Sequence, residues 1–535
     1  MLREKFLSLT LFGRPFIKKS NAMNAMKGEV STNRMVQAFK VLFVSFIVKS
    51  CVHFCKLLKI AFFFETNFKK NMNRSVLLLL AHILHLQHTL STKLPDETCE
   101  TLPSGEVNCK ATTSTKDELC TIPRVPRSEM TEDIFQSKYY LQHPVIITNV
   151  DTAPDAAQGR WTTDILLQQY GAISVGTGSS RTITKMGGTG RASAKLGDII
   201  EAVRTTEEHD GDVDVYAFER DSQLFDEAPE LIDRLRDTAS AVLGAKFVSN
   251  KIPKRKWNST KKLKHEKYRY FLSLGGVGSG VHLHHHSDGW SYLFEGQKRW
   301  FFRPPYTLPA VTHMGFMRMR YWLEEGVYPK LKKNEMPLEC VQNPGELIYV
   351  PESWWHGTIN EGGGGATTLS VAAQRRTATT KVEQQMISAL DSSHKGRNNK
   401  AFKMLQKIVK SMPNHAEAWY TLGIVYGRVR KHHLKDELES KLKANELTEG
   451  RNCDVLNNLA TALIHYKRLE EAEKYLKQVI DLCPWDDFAW SNLAAALDGQ
   501  NREEEAVAAF EKGKHVRKEW STPSMVTVGK EELML

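Results

Sequence analysis

The chain has 535 residues, 41% of them hydrophobic and 25% charged. That balance excludes an intrinsically disordered protein, and the length predicts two or three domains instead of one core. The formal charge of +11 is no nucleic-acid signature, because residues 1–71 hold 13 Lys/Arg against 3 Asp/Glu and leave the remainder near neutral.

Residues 1–91 read as an extension carrying targeting segments. Val41 to Phe64 is apolar but interrupted by Lys49, Lys56 and Lys59, each costing about 2.5–3.5 kcal/mol at mid-membrane on insertion scales. Residues 72–91 have a secretory-signal layout: Met72, a charge at Arg74, an apolar core Val76 to Ile83, then Thr89 and Ser91 near a cleavage site. The expected location is the endoplasmic reticulum lumen or secretory pathway. If Val41 to Phe64 is retained, it acts as a type II anchor, and membrane association is expected only then. The terminus Glu531 to Leu535 resembles no retrieval signal.

Residues 92–130 form a polar segment with Cys99, Cys109 and Cys120; Cys340, Cys453 and Cys483 follow. An even number of cysteines after a signal segment permits disulfides, without fixing their connectivity, and the spacings match no zinc module. The sequon Asn258-Ser259-Thr260 predicts glycosylation at Asn258. It lies in the lysine-rich run Lys251 to Arg269, which lacks interleaved aromatics and reads as a solvated loop, so no nucleic-acid partner is expected.

Residues 131–378 carry short β-rich runs broken by Gly, Pro and Asp: Val145 to Val150, Val213 to Phe218, Tyr268 to Leu274, Trp300 to Arg303, Glu346 to Val350 and Thr367 to Ala373. Such a pattern predicts a sandwich or barrel. Amphipathic helices are expected outside it at Leu196 to Arg204 and Pro229 to Leu243. Two segments concentrate the chemistry. The first runs from Gly278 through His282-Leu283-His284-His285-His286 to Asp288, then Gly296-Gln297-Lys298-Arg299-Trp300. In an extended strand His282, His284 and His286 share a face and His285 points the other way. The second, Gly345 to Asn360, is an apolar strand that turns at Pro351 and returns through Trp354-Trp355-His356, which sets a third imidazole opposite the pair. A single strand histidine is usually core or surface. The co-occurrence of the pair, the Gly-x-Lys-Arg-Trp and the Trp-Trp-His turn points to a metal site.

The second segment resembles the second cupin motif at Gly345, Pro351, His356 and Asn360, departing at Ser353, where glycine is usual. Gly278, His284 and His286 resemble cupin motif one. Together with Gly296-x-Lys-Arg-Trp-Phe and Pro337-Leu-Glu-Cys, these stretches are similar to JmjC-domain proteins, in particular the lumenal type. The resemblance covers roughly half the chain. It implies a double-stranded β-helix, a jelly roll in an α+β multidomain chain, with Fe(II) and 2-oxoglutarate as cofactors. By position it implies His284 and His356 as metal ligands and Lys298 as the partner of the distal carboxylate of 2-oxoglutarate. At the middle position relatives show His-x-Asp or His-x-Glu, whereas this chain has His286. Three outcomes stay open: a His284, His286, His356 site; a shifted register using Asp288; or a scaffold that binds metal poorly.

Residues 379–399 read as a polar linker, followed by helical repeats over 400–520 and a tail over 521–535. Leu456 to Leu463 recurs as Trp490 to Leu497 after 34 residues, the tetratricopeptide length, and Trp419 to Tyr426 carries the Trp-x2-Leu-Gly-x2-Tyr signature. A lone helix at Lys400 to Ser411 precedes the repeats. The expected whole is an Fe(II)/2-oxoglutarate-dependent protein hydroxylase-like JmjC protein of the secretory pathway, with an all-α tetratricopeptide solenoid that recruits a protein partner. The alternative is an inactive lumenal scaffold or adaptor. Histone lysine demethylation is a weaker expectation, because the signal segment points away from the nucleus.

Overall fold

The computed structural model describes residues 99–101, 107–109, 120–150, 161–178, 192–205, 215–220, 222–248, 267–311, 317–361, 367–429, 434–521, 525–528 and 531–534. Asn258 and both N-terminal apolar stretches lie outside the described residues. The chain forms two compact units. In the first, residues 1–112, strands Cys99–Thr101 and Val107–Cys109 pair antiparallel with Cys99 opposite Cys109. The second, residues 113–535, holds two facing β-sheets followed by a helical array.

The strands are β1 (Arg124–Pro126), β2 (Val145–Thr148), β3 (Ser174–Gly178), β4 (Ala192–Lys195), β5 (Tyr216–Arg220), β6 (Tyr268–Gly276), β7 (Gly280–His284), β8 (Gly289–Glu295), β9 (Lys298–Arg303), β10 (Leu338–Gln342), β11 (Leu347–Val350), β12 (Trp355–Asn360) and β13 (Thr367–Arg375). A nine-stranded sheet has the order β1-β2-β11-β8-β13-β6-β5-β3-β4, and a four-stranded sheet the order β10-β9-β12-β7. Strand β6 shows how sequence selects the faces. Tyr268, Tyr270, Leu272 and Leu274 enter the core under helices Leu196–Thr205 and Pro229–Leu243, while Phe271 and Ser273 face the cavity between the sheets. Between the sheets Trp300, Phe302, Ile348, Val350 and Trp354 pack together. Cys120 and Cys340 are joined by a disulfide there, and Cys453 and Cys483 form another within the helices. Gly280 sits where β7 crosses close to β12, since a Cβ would lie 1.9 Å from the Thr358 carbonyl oxygen.

The helices are α1 (Lys381–His394), α2 (Asn398–Ser411), α3 (Ala416–Val429), α4 (Leu434–Leu447), α5 (Cys453–His465), α6 (Leu469–Leu482), α7 (Asp487–Asp498) and α8 (Glu503–Ser521). The segment 379–399, expected as a linker, therefore contains α1, and the helix expected to stand alone is its partner α2. Thr380 caps α1 by accepting from the Glu383 amide, and Met386 and Ala389 pack on Ala401, Leu405 and Ile408 of α2. Four antiparallel pairs result. Their small residues, Ala460 and Ala494 among them, let the helices approach closely. Asn458 and Asn492, which recur in register, are engaged inside the array: Asn458 donates to the Tyr420 hydroxyl, and Asn492 to Asn457 and Thr461.

The array packs directly on the outer face of the four-stranded sheet. Leu283, Phe301, Trp355 and Ile359 share one hydrophobic cluster with residues of α3 to α8 and with Leu308, Val311, Met317, Met319, Trp322 and Val327. The amides of Ala416 and Cys453 donate to the carbonyls of Tyr306 and Ala310 at 3.0 Å, and Arg451 forms an ion pair with Glu335 at 2.6 Å.

Candidate metal centre

Strands β7 and β12 bring the two motifs together, with His284 directly opposite His356. The pairing is irregular: between the His356 and Thr358 positions β12 advances by two residues and β7, from His284 to Val281, by three. This bulge shifts the parity of β7. His282 therefore leaves the face on which simple alternation sets it and bonds the Met317 carbonyl with Nε2, while Val281 and His284 line the cavity. His286 lies just past the strand end and turns back toward His284. Ring centroids are 4.3 Å apart for His284 and His356, 4.6 Å for His286 and His356, and 5.3 Å for His284 and His286.

Hydrogen bonds fix the tautomers. Nδ1 of His284 donates to the His282 carbonyl at 2.8 Å, Nδ1 of His286 to the Ser287 carbonyl at 2.6 Å, and Nδ1 of His356 to the Trp354 carbonyl at 2.9 Å. A carbonyl only accepts, so each proton sits on Nδ1 and each Nε2 presents a lone pair. One ring nitrogen from each residue lies within 4.8 Å of the other two, and the Nε2 atoms of His286 and His356 are 3.1 Å apart. Two lone pairs at that distance repel unless a cation sits between them. Ligands about 2.1 Å from one ion, at about a right angle, are roughly 3 Å apart. Burial lowers all three pKa values and the neighbouring histidines add to the effect, taking His286 down to about 3. The rings are thus held neutral, the form that binds a metal.

The cavity around them has a volume of about 350 Å³ and is walled by Tyr216, Phe218, Phe271, Trp290 and Trp300. Lys298 enters it from β9, 3% exposed, and donates to the Ser273 and Ser370 hydroxyls at 2.8 and 2.7 Å; Tyr216 bonds Ser273 in turn. Among the described residues no carboxylate pairs with Lys298, and burial pulls its pKa down to about 7. An anionic ligand would supply the missing countercharge.

Asp288, the alternative middle ligand, is elsewhere. It is fully buried, and its two oxygens accept from Arg375 Nε and Nη2 at 2.6 and 3.0 Å. Its carboxylate is committed to β13, and among the described residues the cluster consists of the three histidines. His285 points away from them toward the helices. Its Nε2 lies 3.2 Å from Glu417 and its Nδ1 3.9 Å from Glu383. Burial alone would lower this ring, but the two glutamates outweigh it and hold it at about 9.

With this geometry, comparison with known proteins is specific. The model described as Cupin-like domain matches residues 131–372. Those residues form a cupin-like domain, and stretches of it are similar to JmjC-domain proteins. JmjC domain-containing protein 8 of Mus musculus is 41% identical over 91 residues, 17% of this chain and 33% of that protein. Lysine-specific demethylase JMJ21 of Arabidopsis thaliana is 28% identical over 250 residues, 44% of this chain and 24% of that one, and 2-oxoglutarate and iron-dependent oxygenase JMJD4 of Mus musculus is 33% identical over 79 residues, 14% and 18%. The chain thus spans about a third or less of the length of these relatives. A model described as Bacterial transcriptional activator domain matches residues 433–522. A crystal structure of MamA has a TM-score of 0.25 and 20% identity over 26% of this chain and 81% of that one.

The cupin-like domain also uses residues that sequence reasoning missed: Ser273, Ser370 and Tyr216 around Lys298, and Arg375 on Asp288. None carries a local motif, because each acts on a partner at least 25 residues away in the chain.

Proposed function

We propose that His284, His286 and His356 hold Fe(II) and Lys298 holds 2-oxoglutarate, in a protein hydroxylase-like JmjC protein of the secretory pathway. The convergence of three Nδ1-protonated imidazoles, with two Nε2 lone pairs 3.1 Å apart, carries this reading. Iron with 2-oxoglutarate and dioxygen supplies oxidation of an unactivated C–H bond. The chain's own part is to orient the imidazoles through backbone carbonyls, to keep them neutral by burial, to exclude water with aromatic walls, and to offer Lys298 to an anionic cosubstrate. The helical repeats fit recruitment of a protein partner. Two disulfides, together with the signal-like segment 72–91, support an oxidising lumen.

One observation favours a second reading, a lumenal adaptor: Asp288 is committed to Arg375, so that among the described residues the cluster has no carboxylate. The deciding experiment loads the purified full chain anaerobically with Fe(II), counts bound metal, and follows conversion of 2-oxoglutarate to succinate. The hydroxylase reading expects stoichiometric iron, lost in His356→Ala, and turnover lost in Lys298→Ala. Iron binding without turnover favours the adaptor, and no metal binding refutes the assignment of His284, His286 and His356 as ligands and with it the hydroxylase reading. Cleavage near Ser91 and glycosylation at Asn258 test the compartment.

A further inference from the structure

The residue between the two first-motif histidines is held by the helical repeats. His285 reaches from the end of β7 to Glu417 on α3, with Nε2 at 3.2 Å from the carboxylate, and its ring packs edge-on against Trp355 at 4.6 Å. Trp355 immediately precedes His356 and donates its indole N–H to the Thr307 carbonyl at 2.9 Å. A second arm closes the same circuit. Glu383 on α1 lies 3.9 Å from the other His285 nitrogen and accepts from the Ser353 hydroxyl at 2.7 Å, while the Ser353 amide donates to the His286 carbonyl at 2.9 Å. Ser353 has a φ of 65°, a left-handed conformation that explains why glycine is usual at this motif position. Here serine is retained, and its hydroxyl is spent on Glu383. All three carriers are well enclosed, with side chains 15% exposed at His285, 16% at Glu417 and 4% at Glu383.

We propose that Glu417 of the helical array is a positioning residue for the metal-binding histidines, acting through His285 on the backbone that carries His284 and His286. The repeats are then a structural part of the site as well as a recruiting surface. This rests on the reading of His284, His286 and His356 as metal ligands. The physical basis is that groups which fix the orientation of ligating imidazoles set metal affinity, typically by 10–100-fold. The Glu417 contact fixes them one residue removed, by anchoring the strand end on which both sit.

The experiment compares the full-length wild type with Glu417→Ala, Glu417→Gln and Ser353→Gly, using Co(II) alone as the probe and its visible absorption as the readout. The expected result for Glu417→Ala is a Co(II) affinity about tenfold or more weaker and a shifted absorption band, at unchanged helical circular dichroism. Glu417→Gln, whose amide oxygen still accepts from His285, should recover most of the affinity. Ser353→Gly relaxes the backbone and so cannot be blamed on misfolding; it should weaken Co(II) in the same direction by a smaller factor. Hydrogen exchange in metal-free protein gives a second, metal-independent readout: the Ser353 amide, bonded to the His286 carbonyl, should exchange about tenfold faster in Glu417→Ala. Wild-type affinity and spectrum in a folded Glu417→Ala, or unchanged exchange at Ser353, would overturn the proposal. A wild type that binds no Co(II) would instead overturn the ligand reading, with the exchange measurement still deciding whether Glu417 holds the strand end.

Discussion

Replacing Lys298 by methionine tests the electrostatics of the cavity directly. Lys298 is 3% exposed, its partners are hydroxyls, and burial lowers it from 10.5 to about 7. The folded state therefore prefers the neutral amine above pH 7, while the unfolded chain stays protonated up to about pH 10.5. Over that window the unfolded chain binds more protons, so stability rises with pH; below pH 7 the whole cost of burying the ammonium is present. At 1.36 kcal/mol per decade that cost is about 4–5 kcal/mol. Urea unfolding of wild type and Lys298→Met at a series of pH values isolates it, because other titrating groups cancel in the difference. The advantage of Lys298→Met should be largest below pH 7 and shrink by several kcal/mol toward pH 10. A difference independent of pH would refute the reasoning. The same logic reaches the ligand: binding a dianion above pH 7 must take up a proton at Lys298, so 2-oxoglutarate affinity should fall by up to about tenfold per pH unit there.

Asp288→Asn should leave Co(II) affinity within about twofold yet destabilise the fold by about 3–5 kcal/mol, because it strands a buried Arg375; metal titration beside urea unfolding reads both, and a large loss of metal affinity would return Asp288 to the site. Peptide mapping under non-reducing conditions should recover Cys120 linked to Cys340 and Cys453 linked to Cys483. Reducing them should lower unfolding stability by about 2–4 kcal/mol per bond, measured by thermal or urea unfolding with and without reductant. His356→Ala should lose iron while keeping its secondary structure by circular dichroism, since only one of the three imidazoles is removed.

The residues that carry the motifs were legible in one dimension because their chemistry is local. Pro351 and Trp354-Trp355-His356 mark a turn on their own, the 34-residue period from Leu456 to Trp490 needs no partner to be seen, and alternation along Tyr268 to Leu274 sorts cavity from core. What only the tertiary structure decided depends on contacts between distant residues. Whether His282 or Val281 faces the cavity turns on one extra residue in the pairing of β7 with β12. Asp288 is withdrawn from the site by Arg375, 87 residues later. The polar look of residues 379–399 hides α1, whose stability comes from packing on α2, and whose Glu383 meets Ser353 from another motif. Composition and period report what a segment can form by itself; the partner that satisfies a buried charge is chosen by folding, which brings together groups that no spacing relates.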